Sequence, residues 1–167
     1  MDVIVRSYET GDLEACRKLW KLLTIHHREI YDDGTIGGDN PGIHFDEHLA
    51  KVGARRIWVA VCGASICGMA GLIVTGDEGE IEPVIVCPEQ RQAGIGKMLL
   101  ERATAEARKN NVRFLSVAPV ARNRRAIEFF LREGFGTVGR IELFTELTPS
   151  TRKWSQGVTV HGMKLKQ

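Results

Sequence analysis

Cysteine is scarce, and its spacing excludes more than its presence suggests. The four residues Cys16, Cys62, Cys67 and Cys87 form no CxxC pair and no zinc-ribbon spacing. They read as reduced, mostly buried thiols. No apolar run approaches membrane-spanning length, and Met1-Asp-Val-Ile-Val-Arg puts an acid where a secretory leader needs positive charge. A cytoplasmic location with no membrane partner is expected. Charge of one sign is also lacking, since 23 Lys and Arg stand against 21 Asp and Glu. The basic excess that dominates nucleic-acid binding is therefore missing, and no nucleic-acid partner is expected. Tyrosine occurs only as Tyr8 and Tyr31. There are no internal repeats, low-complexity tracts or obvious linkers.

What is present fits one folded unit. The 167 residues, 43% apolar and 26% charged, suffice for a single domain with a real core and are few for two. A single domain over 1–167 is expected. The chain opens with a β-rich run, Val3-Ile-Val-Arg, followed by a helical pattern through Leu13, Cys16, Leu19, Trp20 and Leu23, for which Asp12 could serve as N-cap. From Arg28 to His48 the sequence turns polar and glycine-rich, with six acids against one arginine, and looks the least ordered. Ile57 to Cys62 and Ile66 to Thr75 read as a hairpin joined by Gly63-Ala-Ser65. A third strand runs from Glu80 to Val86. Pro83 within it cannot donate to a ladder, so the strand should be bulged or unpaired there.

Past Cys87 comes Pro88-Glu-Gln-Arg-Gln-Ala-Gly-Ile-Gly-Lys, then Ile95, Leu99, Ala103 and Ala107 at helical spacing. Arg113 to Ala118 reads as a strand, and Ala126, Ile127, Phe130 and Leu131 as a short helix closed by Gly134. Thr137 to Leu147 and Val158 to Leu165 read as late strands, and the last offers an edge that could pair two subunits into a homodimer. Strand, glycine loop, helix, strand is a crossover unit with some parallel pairing.

A helix starting near Ile95 leaves its first amides unpaired at the positive end of its dipole, so an anion is favoured there. Gly94 and Gly96 let that anion approach the backbone, and Arg91 and Lys97 add charges suited to a pyrophosphate. A loop whose glycines only close a tight turn is the plain alternative. A P-loop is excluded because Gly96-Lys97 is followed by Met98 and position 91 is not glycine. A dinucleotide fingerprint is excluded because Leu99 stands where the third glycine belongs.

Taken with Asn123-Arg-Arg-Ala-Ile-Glu-Phe-Phe-Leu-Arg-Glu-Gly-Phe135, the run from Val86 to Leu100 resembles the GCN5-related N-acetyltransferase (GNAT) superfamily. Arg91, Gln92, Ala93, Gly94, Ile95 and Gly96 match its R/Q-x-x-G-x-G/A signature. The resemblance implies an α+β (α/β) fold with a mixed central sheet of six to seven strands, about four flanking helices, and a splay between the fourth and fifth strands. It implies acetyl-CoA as co-substrate, with its pyrophosphate on Arg91 to Lys97 and its pantetheine along Val84, Ile85 and Val86. Asn123, Ala126 and Phe130 would complete that site, and Asn123 is equally suited to capping its helix.

The implied chemistry is direct attack of an amine, on a small molecule or a peptide, upon the thioester. Glu82 is the favoured catalytic base and Glu80 the close second; for either, the alternative is an exposed strand acid without chemistry. Many family members carry a tyrosine seven residues beyond the asparagine to protonate the thiolate. This chain has Phe130 there, which has no proton to give. A non-catalytic acyl-CoA sensor or scaffold is thus the second reading. Asp32, Asp33, Asp39, Asp46 and Glu47 could draw a cationic amine, although a solvated loop explains them as well. His26, His27, His44 and His48 lack further ligands at metal spacing, so no metal is expected and they read as surface or capping residues. Arg122, Arg124 and Arg125 could meet a 3′-phosphate or a partner, or simply start a solvated helix, the default.

Overall fold

The computed structural model describes residues 2–148 and 153–167. Five strands, β1 (Val3–Ser7), β2 (Ile57–Cys62), β3 (Ser65–Thr75), β4 (Glu78–Val86) and β5 (Phe114–Ser116), form one sheet in that spatial order. Neighbours are antiparallel except β4 and β5, which are parallel. Among the described residues, four α-helices accompany the sheet: α1 (Leu13–Tyr31), α2 (His44–Val52), α3 (Ile95–Lys109) and α4 (Arg124–Arg132). The mixed α+β class and the four helices agree with the sequence reading.

Apolar side chains fill both faces of the sheet because its central strands are apolar almost throughout. Along β2, Trp58 and Ala60 point into a core with Leu72, Ile81, Ile95, Leu99 and Ala103, which is the α3 side. Ile57 and Val59 point the other way, to Cys16, Leu19, Phe45, Met69 and Ile85, the side of α1 and α2. The period of two along a strand sets this division.

Several expectations are corrected. The central sheet has five strands rather than six to seven. The run Thr137 to Leu147 carries no strand over its described length, and Val138, Leu143 and Leu147 are exposed there. β-branched content makes a strand only where a partner supplies the ladder. Val158 to Leu165 is not one strand but a hairpin, β6 (Gln156–Val160) and β7 (Met163–Lys166), turning at His161 and Gly162 and separate from the main sheet.

Asp12 precedes α1 without making the expected side-chain cap. Its carboxylate instead takes both Arg6 guanidinium nitrogens at 2.7 and 2.8 Å and the Glu9 amide at 2.8 Å. The Arg6 pair holds the Asp12 carboxyl below its usual range and ties β1 to α1. The segment Arg28 to His48 is also more regular than expected. The Arg28 guanidinium donates to the carbonyls of Ile36 and Gly38, Asp33 accepts from Thr35, and Phe45, His48 and Val52 bury one face of α2. Two of the thiols differ as well, since Cys62 and Cys67 are joined in a disulfide while Cys16 and Cys87 are free.

Candidate functional site

Parallel pairing between β4 and β5 is confined to Glu78, Glu80 and the residue between them, opposite Phe114–Ser116. Beyond Glu80, β4 runs on to Val86 while β5 stops at Ser116. The edge of Val84–Val86 is thereby left without a β5 ladder. The cause lies in β4 itself. The β3–β4 register jumps from Ala70↔Val84 to Leu72↔Ile81, so Gly71 alone faces Glu82-Pro83. Pro83 supplies no N–H, and its peptide bond with Glu82 is cis. The extra residue switches the alternation: Ile81 lies on the α3 side, but so do Val84 and Val86, while Ile85 faces α1. The irregularity expected from Pro83 is present.

At the end of β4 the Cys87 amide donates to the Cys67 carbonyl at 2.8 Å, and Arg91 Nε donates to the Val86 carbonyl at 3.2 Å. These bonds aim the loop from Pro88 to Gly94, which turns through positive φ at Gln92 (68°) and Gly94 (79°). α3 then begins at Ile95, anchored by its 1% exposed side chain. Its first-turn amides have no intrahelical acceptors and carry the positive dipole end. Above Gly94 there is open space, whereas a Cβ at Gly96 would stand 3.3 Å from the Phe129 ring of α4. Ala93, Gly94 and Lys97 are exposed beside this helix end.

Asn123 caps α4, its side-chain oxygen accepting the Ala126 amide at 3.1 Å. Phe130 stacks between Phe129 and Phe135 at 5.1 and 6.0 Å and packs against the α3-side core. Glu80 pairs with Ile73 in the β3–β4 register and so shares the α1 face with it. Glu82 is exposed at the bulge.

His48 was expected as a surface or capping residue and is instead 6% exposed, its ring 5.0 Å from that of Trp20. A Cβ on Gly71 would lie 2.9 Å from His48 Nε2 and 2.5 Å from the Glu82 carbonyl oxygen, so both atoms crowd the hollow over Gly71. Nε2 makes no well-formed hydrogen bond among the described residues, and the Glu82 backbone only weakly favours its protonated form. The signal in the sequence was the spacing of Phe45, His48 and Val52, which places the imidazole on the buried face of a short helix. Burial, then the charge of Lys51, pushes His48 down to about 4.

That shift has a sign. The unfolded imidazole binds a proton below about 6.5 and the folded one only near 4, so stability is full above 6.5 and falls as pH drops between these values. The loss should reach roughly 3 kcal/mol at its lower end. Burial shifts His27 in the same direction and adds to the same window. Urea unfolding at pH 7 and pH 4.5 should show this loss, and His48→Leu should flatten the difference by more than half. An equal pH difference in wild type and variant would contradict it.

The remaining candidates separate by structure. Arg124 and Arg125 are exposed at the start of α4, as the default expected. Arg122 is not part of a solvated helix start. Its guanidinium donates to the carbonyls of Ile30, Lys153 and Gln167 and lies 4.9 Å from the Tyr31 ring centre and 5.7 Å from that of Trp154. Among the acids, Asp46 binds Arg17 at 2.9 Å, Asp32 meets Lys153 at 3.2 Å, Glu47 meets His44 at 3.3 Å, and Asp33 accepts from Thr35. Most of that acidic segment is committed to partners within the chain. Among the described residues, no three His, Cys, Asp or Glu side chains converge as a metal site, and no helix is long and apolar enough to cross a membrane.

A pocket of about 220 Å³ lies among His27, Tyr31, Ile36, Val120, Phe144 and Trp154. Tyr31 and Trp154 are 6.2 Å apart and Phe144 and Trp154 5.1 Å, both edge-on. Val120 belongs to the chain leaving β5. It lies four residues past Ser116, the last β5 residue paired with β4.

The model of the acetyltransferase (GNAT) family matches residues 18–135, from early α1 to the end of the α4 region. No curated protein matches the sequence. Solved structures do match the fold. An acetyltransferase of the GNAT family from Staphylococcus aureus Mu50 superposes with a TM-score of 0.69 at 17% identity, covering 90% of this chain and 96% of its own. The ribosomal-protein-S18-alanine N-acetyltransferase of Escherichia coli gives 0.59 at 21% identity, with 80% and 77% covered. A Mycobacterium tuberculosis protein in complex with CoA gives 0.59 at 25% identity, with 84% and 76% covered.

Proposed function

The chain belongs to the GNAT acetyltransferase family, and on that premise we propose that it transfers an acetyl group from acetyl-CoA directly to the amine of an acceptor. The observation that carries this reading is the parting of β4 from β5 beyond Glu80, at a strand that ends in the glycine loop and the exposed start of α3. The residues present fit the coenzyme. Open space above Gly94 and the unpaired first-turn amides of α3 suit a pyrophosphate, with Arg91, Gln92, Ala93, Ile95, Gly96 and Lys97 around it. The free edge of Val84, Ile85 and Val86 suits an extended amide-bearing arm. Asn123, Ala126 and Phe130 form the opposite wall through α4.

Bound there, acetyl-CoA supplies an activated acyl group as a thioester. The two sides of the sheet then have different tasks. The glycine loop and α3 hold the coenzyme, while Glu80 and the aromatic pocket lie toward α1. An acceptor ammonium with a reference pKa of about 10.4 costs roughly 4 to 5 kcal/mol to deprotonate at pH 7. Glu82, at the bulge, takes that proton, with Glu80 as the second candidate. The amine nitrogen bonds to the acyl carbon as the carbon–sulfur bond breaks, the thiolate leaves, and the second amine proton passes to the departing thiolate or to water. With a thiol pKa near about 8.5 it leaves tolerably without the acid that Phe130 cannot supply. A cytoplasmic location, a small-molecule or peptide amine as partner and independence from metal go with this reading.

Phe130 favours a second reading, a non-catalytic module that senses acyl-CoA. A coenzyme-release assay with a broad amine panel separates the two. Thiol release that depends on both protein and amine is expected. Tight acetyl-CoA binding with no release on any amine would favour the sensor.

A further inference from the structure

Resting on the transferase reading, we propose that the acceptor carries its primary amine on an aromatic or bulky apolar group, which the pocket of Tyr31, Phe144 and Trp154 receives. A polycation is the acceptor class this surface disfavours. Position argues first. Val120 forms one wall of the pocket and continues the β5 side of the gap, while His27 and Tyr31 come from α1, on the face that Glu80 shares. The pocket thus stands across the sheet from α3 and its loop, on the side from which an amine would meet the thioester.

The lining gives the chemistry. Three aromatic rings, Ile36 and Val120 surround the space, and no carboxylate is among the described residues that line it. A fixed cation, Arg122, stands beside it, its guanidinium against the same two rings, Tyr31 and Trp154, and held by three backbone carbonyls. Positive charge beside the pocket opposes a second or third ammonium. His27 on the pocket wall is shifted toward its neutral form by burial. Most of the acids that could have drawn a polyamine already have partners within the chain: Asp46 with Arg17, Asp32 with Lys153, Glu47 with His44, and Asp33 with Thr35. An aryl group set against the ring of Phe144, itself 67% exposed, and that of Trp154 gains part of its ring's burial, which is worth ~10-fold in kcat/KM over an amine that lacks it.

The test compares tryptamine and phenethylamine with ethylamine and spermidine, using the full chain, acetyl-CoA and thiol release, alongside calorimetric titration of acetyl-CoA. The arylalkylamines should exceed both ethylamine and spermidine by at least ~10-fold in kcat/KM. Trp154→Ala and, separately, Phe144→Ala should erase that ratio while acetyl-CoA affinity stays as in the wild type. Spermidine turned over as well as tryptamine, or a ratio that survives both substitutions, overturns the acceptor assignment and leaves the transferase reading standing. Acetyl-CoA binding with no amine acetylated overturns both.

Discussion

Glu82→Gln should lower kcat by about 100-fold at pH 7, with the affinity for acetyl-CoA unchanged. The substitution keeps size and hydrogen-bonding capacity and removes only the ability to take a proton. It therefore tests the base and not the strand. Glu82 occupies the residue at which β4 departs from regular pairing, opposite Gly71 and before Pro83, and its side chain is exposed. Glu80 lies two residues earlier, half-buried beside Ile73. If proton removal is the role, raising pH toward the amine's own pKa should restore the variant, because the nucleophile then forms without help. The deficit at pH 7 should shrink to a few-fold near pH 10. A Glu80→Gln variant should lose less. Wild-type kcat in both single variants would remove the carboxylate base from the account.

Gly94→Val should raise the Kd for acetyl-CoA by about 30-fold or more. Two costs act together. Gly94 holds φ at 79°, a region β-branched residues avoid, so the turn into α3 is strained. A side chain there also fills the open space beside the first-turn amides, where a Cβ added to Gly94 would meet nothing within 4 Å. Gly94→Asn separates these costs, since asparagine tolerates the left-handed region. It should bind acetyl-CoA with an intermediate Kd and melt near the wild type. Calorimetry checks both variants, and an unchanged Kd in Gly94→Val would remove the loop from the coenzyme site.

Parts of this arrangement were readable from the chain alone because their causes are local. Gly63-Ala64 turns between two apolar runs, Pro83 interrupts a ladder, and Gly94 and Gly96 flank Ile95 at the start of a helical pattern. Each of these acts within a few residues of itself. Asn123 was equally legible as a helix cap.

What was missed depends on partners distant in sequence. α2 was hidden because its buried face has only Phe45, His48 and Val52 within a polar stretch. The burial of His48 needs Gly71 and Glu82 from two other strands. Arg122 looked like part of a basic cluster, and its role is set by Tyr31, Trp154 and Gln167. The late β-rich run from Thr137 had the composition of a strand but no ladder to join.

Direct acetyl transfer to an amine is tested most plainly by mass spectrometry of an amine library incubated with the protein and acetyl-CoA bearing an isotope-labelled acetyl group. The account predicts label on at least one amine, with arylalkylamines foremost, coenzyme A released in equal amount, and no label on the protein. Acetyl-CoA that binds tightly while every amine stays unlabelled would contradict it.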